Sequence, residues 1–199
     1  MQRTVESVAQ FGVLAPLIAR PRPEGGYEII SGHRRQHAAE LAGLKTLPVI
    51  VRNMSDDEAV IHMVDSNLQR EHILPSERAF AYKMKLEAIK KQGARSDLTS
   101  AQVGPKLTAA EKVALDSDDS KSQVKRFIRL TNLIPELLDL VDQKKISFNP
   151  AVELSYLTAA EQRDFLEAMQ DTQNAPSLSQ AQRIKKLSQE GKCSYDAMF

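Results

Sequence analysis

The stretch that most constrains this chain is residues 27–44, YEIISGHRRQHAAELAGL. Tyr27 to Ile30 alternates and carries β-branched residues, which predicts a short strand. Gly32 supplies a permissive turn, and Ala38, Ala39, Leu41 and Ala42 predict a helix that Gly43 ends. Gly32, His33, Arg34 and Arg35 lie between the two. Cations at a helix N-terminus oppose the macrodipole, which favours anions there by about 0.3–1 kcal/mol. Two arginines placed against that gradient suit an anion supplied from outside, because free backbone N–H groups and guanidinium forks both match phosphate oxygens. A solvated basic turn that binds nothing has the same pattern, so the loop alone leaves both readings open.

Around this loop the first half of the chain predicts a small α+β unit. Val5 to Phe11 reads as an amphipathic helix stopped by Gly12, and Leu17 to Arg20 as a strand. Pro21, Pro23 and Gly25-Gly26 form a hairpin-type connection to Tyr27. Thr46 to Arg52 is a third strand, and Ser55-Asp56-Asp57-Glu58 is a capping box opening a helix to about Asn67. The expected first domain is residues 1–74, and a strand preceding it in the natural protein is expected to lie outside this sequence.

From residue 75 to 199 the pattern is all-α. Pro75 stands at the start of a helix from Ser76 to about Gln92, with Phe80, Met84, Ala88 and Ile89 as its apolar face. Gly93 to Asp97 reads as a polar break. Capping-box patterns follow at Thr99–Gln102, Thr108–Glu111, Ser120–Gln123 and Thr158–Glu161, and Pro135 and Pro150 each sit where a new helix begins. Thr108 to Leu133 predicts a short helix, a tight polar turn at Asp116–Asp119 and a longer helix from Ser120. Val124, Phe127, Ile128 and Thr131 share one face of that helix; Ser122, Lys125, Arg126 and Arg129 fall opposite, flanked by Lys121 and Gln123. This is the layout of a helix-turn-helix, with Lys and Arg on phosphates and Gln or Arg at base edges. An ordinary amphipathic surface helix shares the pattern, and the turn lacks the Gly often found there.

Composition bounds the alternatives. The net charge of +1 requires any polyanion site to be a local patch. Cys193 is the single cysteine, which excludes an intrachain disulfide and a cysteine zinc cluster. No apolar run reaches 18 residues and the N-terminus lacks a secretory segment, so the expected setting is cytoplasmic, with no membrane.

Taken together, the motifs resemble the ParB/RepB family of DNA-partition proteins. FGVLAPLIARP resembles that family's first box, GYEIISGHRRQHAAELAGLKTLPVIV its phosphate box, and DSNLQREHILPSERAFAYK its third. SKSQVKRFIRLTNLIPELLDLVDQKKISFNPAVELSYL resembles its recognition helix and those behind it. The resemblance implies a ParB-like N-terminal domain that binds CTP with Mg²⁺, followed by an all-α helix-turn-helix domain. By position, Gly12 would shape the pocket and Gly32, His33, Arg34 and Arg35 would hold phosphates. Ser66, Asn67 and Arg70 would complete it, with Asn67 toward the metal. Ser120, Lys121, Ser122, Gln123, Lys125, Arg126 and Arg129 would face a palindromic, centromere-like site in double-stranded DNA. The resemblance further implies a homodimer that closes as a sliding clamp and a ParA-type ATPase partner. Two positions depart from it. Ala15 stands where members that hydrolyse CTP usually carry Gln, and Ser66 where they usually carry Glu, with Asp65 beside it. Binding is therefore expected and hydrolysis is not. Such proteins normally end in a separate dimerisation domain, whereas here the chain stops after a helix at about Ser177–Glu190 capped by Gly191, as a truncated form would.

Three other readings compete. Sulfiredoxin has a similar phosphate motif with a catalytic Cys, but here the motif reads Ser31-Gly32-His33-Arg34 and Cys193 is far away in sequence. A ParB-fold free-serine kinase needs a pocket carboxylate, for which Asp65 and Glu71 are candidates, each also readable as a solvated acid at a helix end. A transcription regulator would use the same DNA helix without partition. His33 and His37 are spaced like a helical zinc pair but have no third ligand at a sensible spacing.

Overall fold

The computed structural model describes residues 2–96, 107–117 and 119–195. Among them, residues 2–69 and 87–96 form one compact unit, and residues 70–86 with those beyond 106 form another.

The first unit holds a three-stranded sheet of order β2-β1-β3. β1 (Leu17–Pro21) pairs antiparallel with β2 (Tyr27–Ser31) and parallel with β3 (Val49–Val51). Leu17 and Ala19 of β1 are buried, and its other residues are at least partly open, as a strand with one packed face requires. The expected third strand shortens to three residues because Pro48 cannot donate to the ladder. The Pro48 carbonyl still accepts from the Leu17 N–H at 2.9 Å. All three residues of β3 are more than 40% exposed. α1 (Gln2–Phe11) packs Val8 on Ala38 and Ala39 of α2 (His33–Leu41), with Val5, Val13, Ala42 and Leu47 around them. α3 (Asp56–Leu68) opens on the capping box of Ser55 and Glu58.

α4 (Pro75–Ser96) is continuous through Gly93, so the polar break does not interrupt it. A lone Gly costs a helix about 1 kcal/mol, which 22 residues absorb. Asp97 and the pattern at Thr99–Gln102 lie outside the described residues. Ala88 and Ile89 of its expected apolar face are buried, but Phe80 is 47% and Met84 41% exposed. Ala79, Tyr82 and Lys85 are buried instead. The stripe rotates because the polar tips of Tyr82 and Lys85 find carboxylates while their apolar stems fill the interior.

Among the described residues, six further helices complete the second unit. They are α5 (Ala109–Leu115), α6 (Lys121–Leu130), α7 (Pro135–Asp142), α8 (Phe148–Leu154), α9 (Ala159–Thr172) and α10 (Leu178–Gln189). Val113, Val124, Leu130, Leu137, Ile146, Leu154 and Ile184 form its interior. Pro135 begins α7, but α8 starts at Phe148 with Pro150 inside its first turn, where a missing N–H costs nothing. Gln162 is buried and fully used. Its amide donates to the carbonyls of Asn132 and Leu157, both at 3.0 Å, and its oxygen accepts from Ile134 N–H at 2.7 Å. No described helix is long and apolar enough to cross a membrane. The result is an α+β chain with a small sheet unit followed by helices, as the sequence predicts.

Candidate functional site

Helix α2 begins five residues before the first of its alanines, Ala38, so His33, Arg34 and Arg35 form its first turn. Gly32 is the N-cap at φ 108°, and it has no side chain to cap with. Its carbonyl accepts from the N–H groups of Arg35 (2.9 Å) and Gln36 (3.0 Å). The N–H groups of His33 and Arg34 precede the first intrahelical donors and remain for an external acceptor. A Cβ at Gly32 would lie 2.8 Å from Leu17 Cγ and 3.3 Å from Arg35 Nη2, so a side chain there would fill the cradle.

Two contacts draw the neighbouring segments to this turn. Ser31 and Ser66 meet hydroxyl to hydroxyl at 2.6 Å, which brings the last turn of α3 against the end of β2. Arg35 Nη1 donates to the carbonyls of Ala15 (2.5 Å) and Pro16 (2.9 Å). Ala15 and Pro16, the turn at residues 31–35 and Ser66 thus meet at one helix terminus. Gly12 turns the chain out of α1 at φ 71°, Asn67 is half-buried, and His33 and Arg34 are exposed. Arg70 falls in the second unit and is exposed there. Arg35 was expected to hold phosphate and is found gripping backbone. No signal in the sequence distinguishes it from Arg34. Among the described residues no three His, Cys, Asp or Glu side chains group as a metal cluster.

In the second unit, α5 and α6 form the predicted pair. Thr108 and Glu111 make a full capping box, and Lys121 Nζ reaches Glu111 Oε1 at 2.8 Å, tying the start of α6 to α5. That hydrogen bond, with those from the Thr108 N–H and hydroxyl, pulls the Glu111 carboxyl down to about 2. The Ser120 hydroxyl caps α6 by accepting from Gln123 N–H at 3.2 Å. The intervening turn is acidic, and α4 pairs with two of its carboxylates. Lys85 pairs with Asp116 at 3.0 Å. Asp119 accepts from Tyr82 at 2.6 Å and from Arg78 at 3.3 Å. Burial, and next the hydrogen bond to Asp119, push the Tyr82 phenol up to about 12.

Val124, Phe127 and Leu130 of α6 face the interior, and Ser122 and Lys125 stand exposed on the outer side. Gln123 is half-buried. Arg126 Nη2 donates to Asn149 Oδ1 at 2.5 Å, with its guanidinium 5.3 Å over the Phe148 ring. Arg129 departs from the expected outer face. Its Nη2 donates to the Ser155 carbonyl at 3.0 Å, it stacks 3.9 Å over the Tyr156 ring, and its Nε is buried without an acceptor. Lys185 also lies 3.8 Å over that ring. A 3.6-residue period cannot foresee this, because it sets Arg129 beside Ser122 on the outer face, and only tertiary structure supplies the Ser155 carbonyl and the Tyr156 ring.

The ParB N-terminal domain model matches residues 1–68. The chain is 32% identical over 157 residues to the chromosome-partitioning protein Spo0J of Thermus thermophilus, covering 79% of this chain and 51% of that protein. It is 36% identical over 144 residues to the stage 0 sporulation protein J of Bacillus subtilis, covering 71% and 44%. The chain therefore spans about half the length of these relatives. Its fold is shared with the C-terminally truncated chromosome-partitioning protein ParB of Caulobacter crescentus, solved in complex with the centromeric parS site. The match there has a TM-score of 0.58 and 22% identity, over 96% of this chain and 89% of that one. With the ParB N-terminal domain over residues 1–68 and chromosome-partitioning relatives that match 71–79% of its length, the chain belongs to the ParB family.

Proposed function

We propose that this protein is a centromere-binding partition protein that binds CTP in its first unit and double-stranded DNA in its second. The observation that carries the nucleotide half is the meeting of Ala15, Pro16 and Ser66 with residues 31–35 at the uncapped N-terminus of α2. The N–H groups of His33 and Arg34 and the Arg34 guanidinium hold the phosphates, with Gly32 keeping the approach open. Arg35 holds the Ala15–Pro16 turn that, with Gly12, shapes the pocket. Asn67 completes the site, and its side-chain oxygen would hold Mg²⁺, which would neutralise triphosphate charge there. On α6, Ser122, Gln123, Lys125 and Arg126 face a palindromic site, and Ser120, Lys121 and Arg129 fix the helix. The functional form is a homodimer closed by nucleotide, with a ParA-type ATPase as partner.

The test is a calorimetric titration with CTP, ATP, GTP and UTP in the presence of Mg²⁺. CTP is expected to bind preferentially; equal or absent binding of all four would overturn the nucleotide half. Gel shifts on palindromic parS-type and scrambled duplexes test the DNA half independently.

A further inference from the structure

Among the residues on the outer face of α6, Arg126 has both an edge and a face of its guanidinium fixed. Ser122 and Lys125 stand exposed. The edge of Arg126 is held by Asn149 Oδ1 at 2.5 Å and the face by Phe148, whose ring is 5.3 Å below. Phe148 does not float. Its centroid is 4.7 Å from that of Phe127, a buried residue of α6, and Tyr82 closes edge-on against Phe127 at 5.9 Å. The orientation of Arg126 is therefore inherited from the interior, through two aromatic rings, and set at the surface by one amide oxygen.

Resting on the reading of α6 as the DNA helix, we propose that Asn149 is a positioning residue for sequence readout, holding Arg126 to read a guanine in the major groove. An arginine reads guanine with two parallel N–H donors to O6 and N7. With one Nη2 hydrogen on Asn149, the guanidinium keeps further donors on its outer end, and its plane no longer rotates about the side-chain torsions. A free arginine loses that freedom on binding any base or phosphate. A fixed one has lost it beforehand, so the gain appears only where the base matches its geometry. Asn149 touches Arg126 from α8 and need not touch DNA.

The experiment selects preferred duplexes from a randomised pool with the full chain and its variants, then measures binding to the selected site and its single-base changes. Arg126→Ala is expected to erase preference for guanine at one position by about fivefold or more. Asn149→Ala is expected to weaken preference at that same position by about two- to tenfold, the range for one immobilised long side chain. Its preferences elsewhere, its salt dependence and its thermal midpoint should match the parent. Asn149→Asp, which keeps an acceptor for Nη2, should restore the preference even though its added charge lowers overall affinity. An Asn149→Ala profile identical to the parent at the Arg126 position would overturn the proposal while leaving DNA binding intact. So would an equal loss at every position, the mark of a merely structural role. If the parent selects no motif, the underlying DNA reading fails and the proposal with it.

Discussion

The hydroxyls of Ser31 and Ser66, 2.6 Å apart, join the turn before α2 to the end of α3. In hydrolysing members of the family this chain resembles, a glutamate usually occupies the position of Ser66. Here that position makes a structural bond, and Ala15 contributes its carbonyl to Arg35 in place of an amide side chain. Phosphoryl transfer depends on orienting water and neutralising charge, so losing such groups costs rate more than binding.

CTP turnover is therefore expected to be slow even with cognate DNA present. Phosphate release measured with CTP, Mg²⁺ and DNA checks this. Ala15→Gln with Ser66→Glu should raise the rate. Brisk turnover in the parent that Asp65→Asn or Glu71→Gln abolishes would place the chemistry on those carboxylates.

The two arginines of the turn should separate. Arg34→Ala should weaken CTP binding by about tenfold or more without changing stability, since its side chain is exposed and its loss removes a charged hydrogen bond. Arg35→Ala should also lower the melting stability of the first unit by about 1 kcal/mol, through its two carbonyl contacts. Calorimetric affinity and thermal melts of the same two proteins distinguish these outcomes.

Gln162→Leu should cost about 2–3 kcal/mol, because the backbone groups of Asn132, Ile134 and Leu157, one of them in a fully buried bond, lose their partner. Gln162→Glu keeps the acceptor for Ile134 and should fall between that variant and the parent. Urea midpoints give the order, and an unchanged slope shows that the same surface unfolds.

Acid should loosen the start of the DNA helix. The Glu111 carboxyl is lowered from 4.5 to about 2, foremost by Lys121 and then by Thr108. A depressed carboxyl contributes stability that is complete above its unfolded value and is lost as pH falls through the folded one. Melts between pH 5 and 2 should show this loss, and it should shrink in Lys121→Met. Equal pH profiles for the two proteins would assign the lowering to another cause.

Much of this was legible before any coordinates. The capping boxes at Ser55, Thr108 and Thr158 form as written, because each needs only a hydroxyl and a carboxylate three residues apart. The helices α5 and α6 follow from apolar spacing and caps, while that spacing alone left an ordinary amphipathic surface helix as open as a helix-turn-helix. What escaped the sequence is where long polar side chains turn. Lys85 was unreadable as a core residue, since only tertiary structure supplies Asp116. Arg35 and Arg129 were read as outward cations but reach carbonyls 19 or more positions away.

Gly32 carries a genetic consequence. Its φ of 108° and the 2.8 Å approach of Leu17 Cγ are separate constraints, so no single second-site suppressor can rescue Gly32→Ala. Leu17→Ala makes room but leaves the unfavourable backbone of an alanine with positive φ. Gly32→Asn eases the backbone but keeps the collision. Revertants at this position should therefore be true revertants, and the doubly substituted chain that relieves both constraints pays with a void where fully buried Leu17 stood.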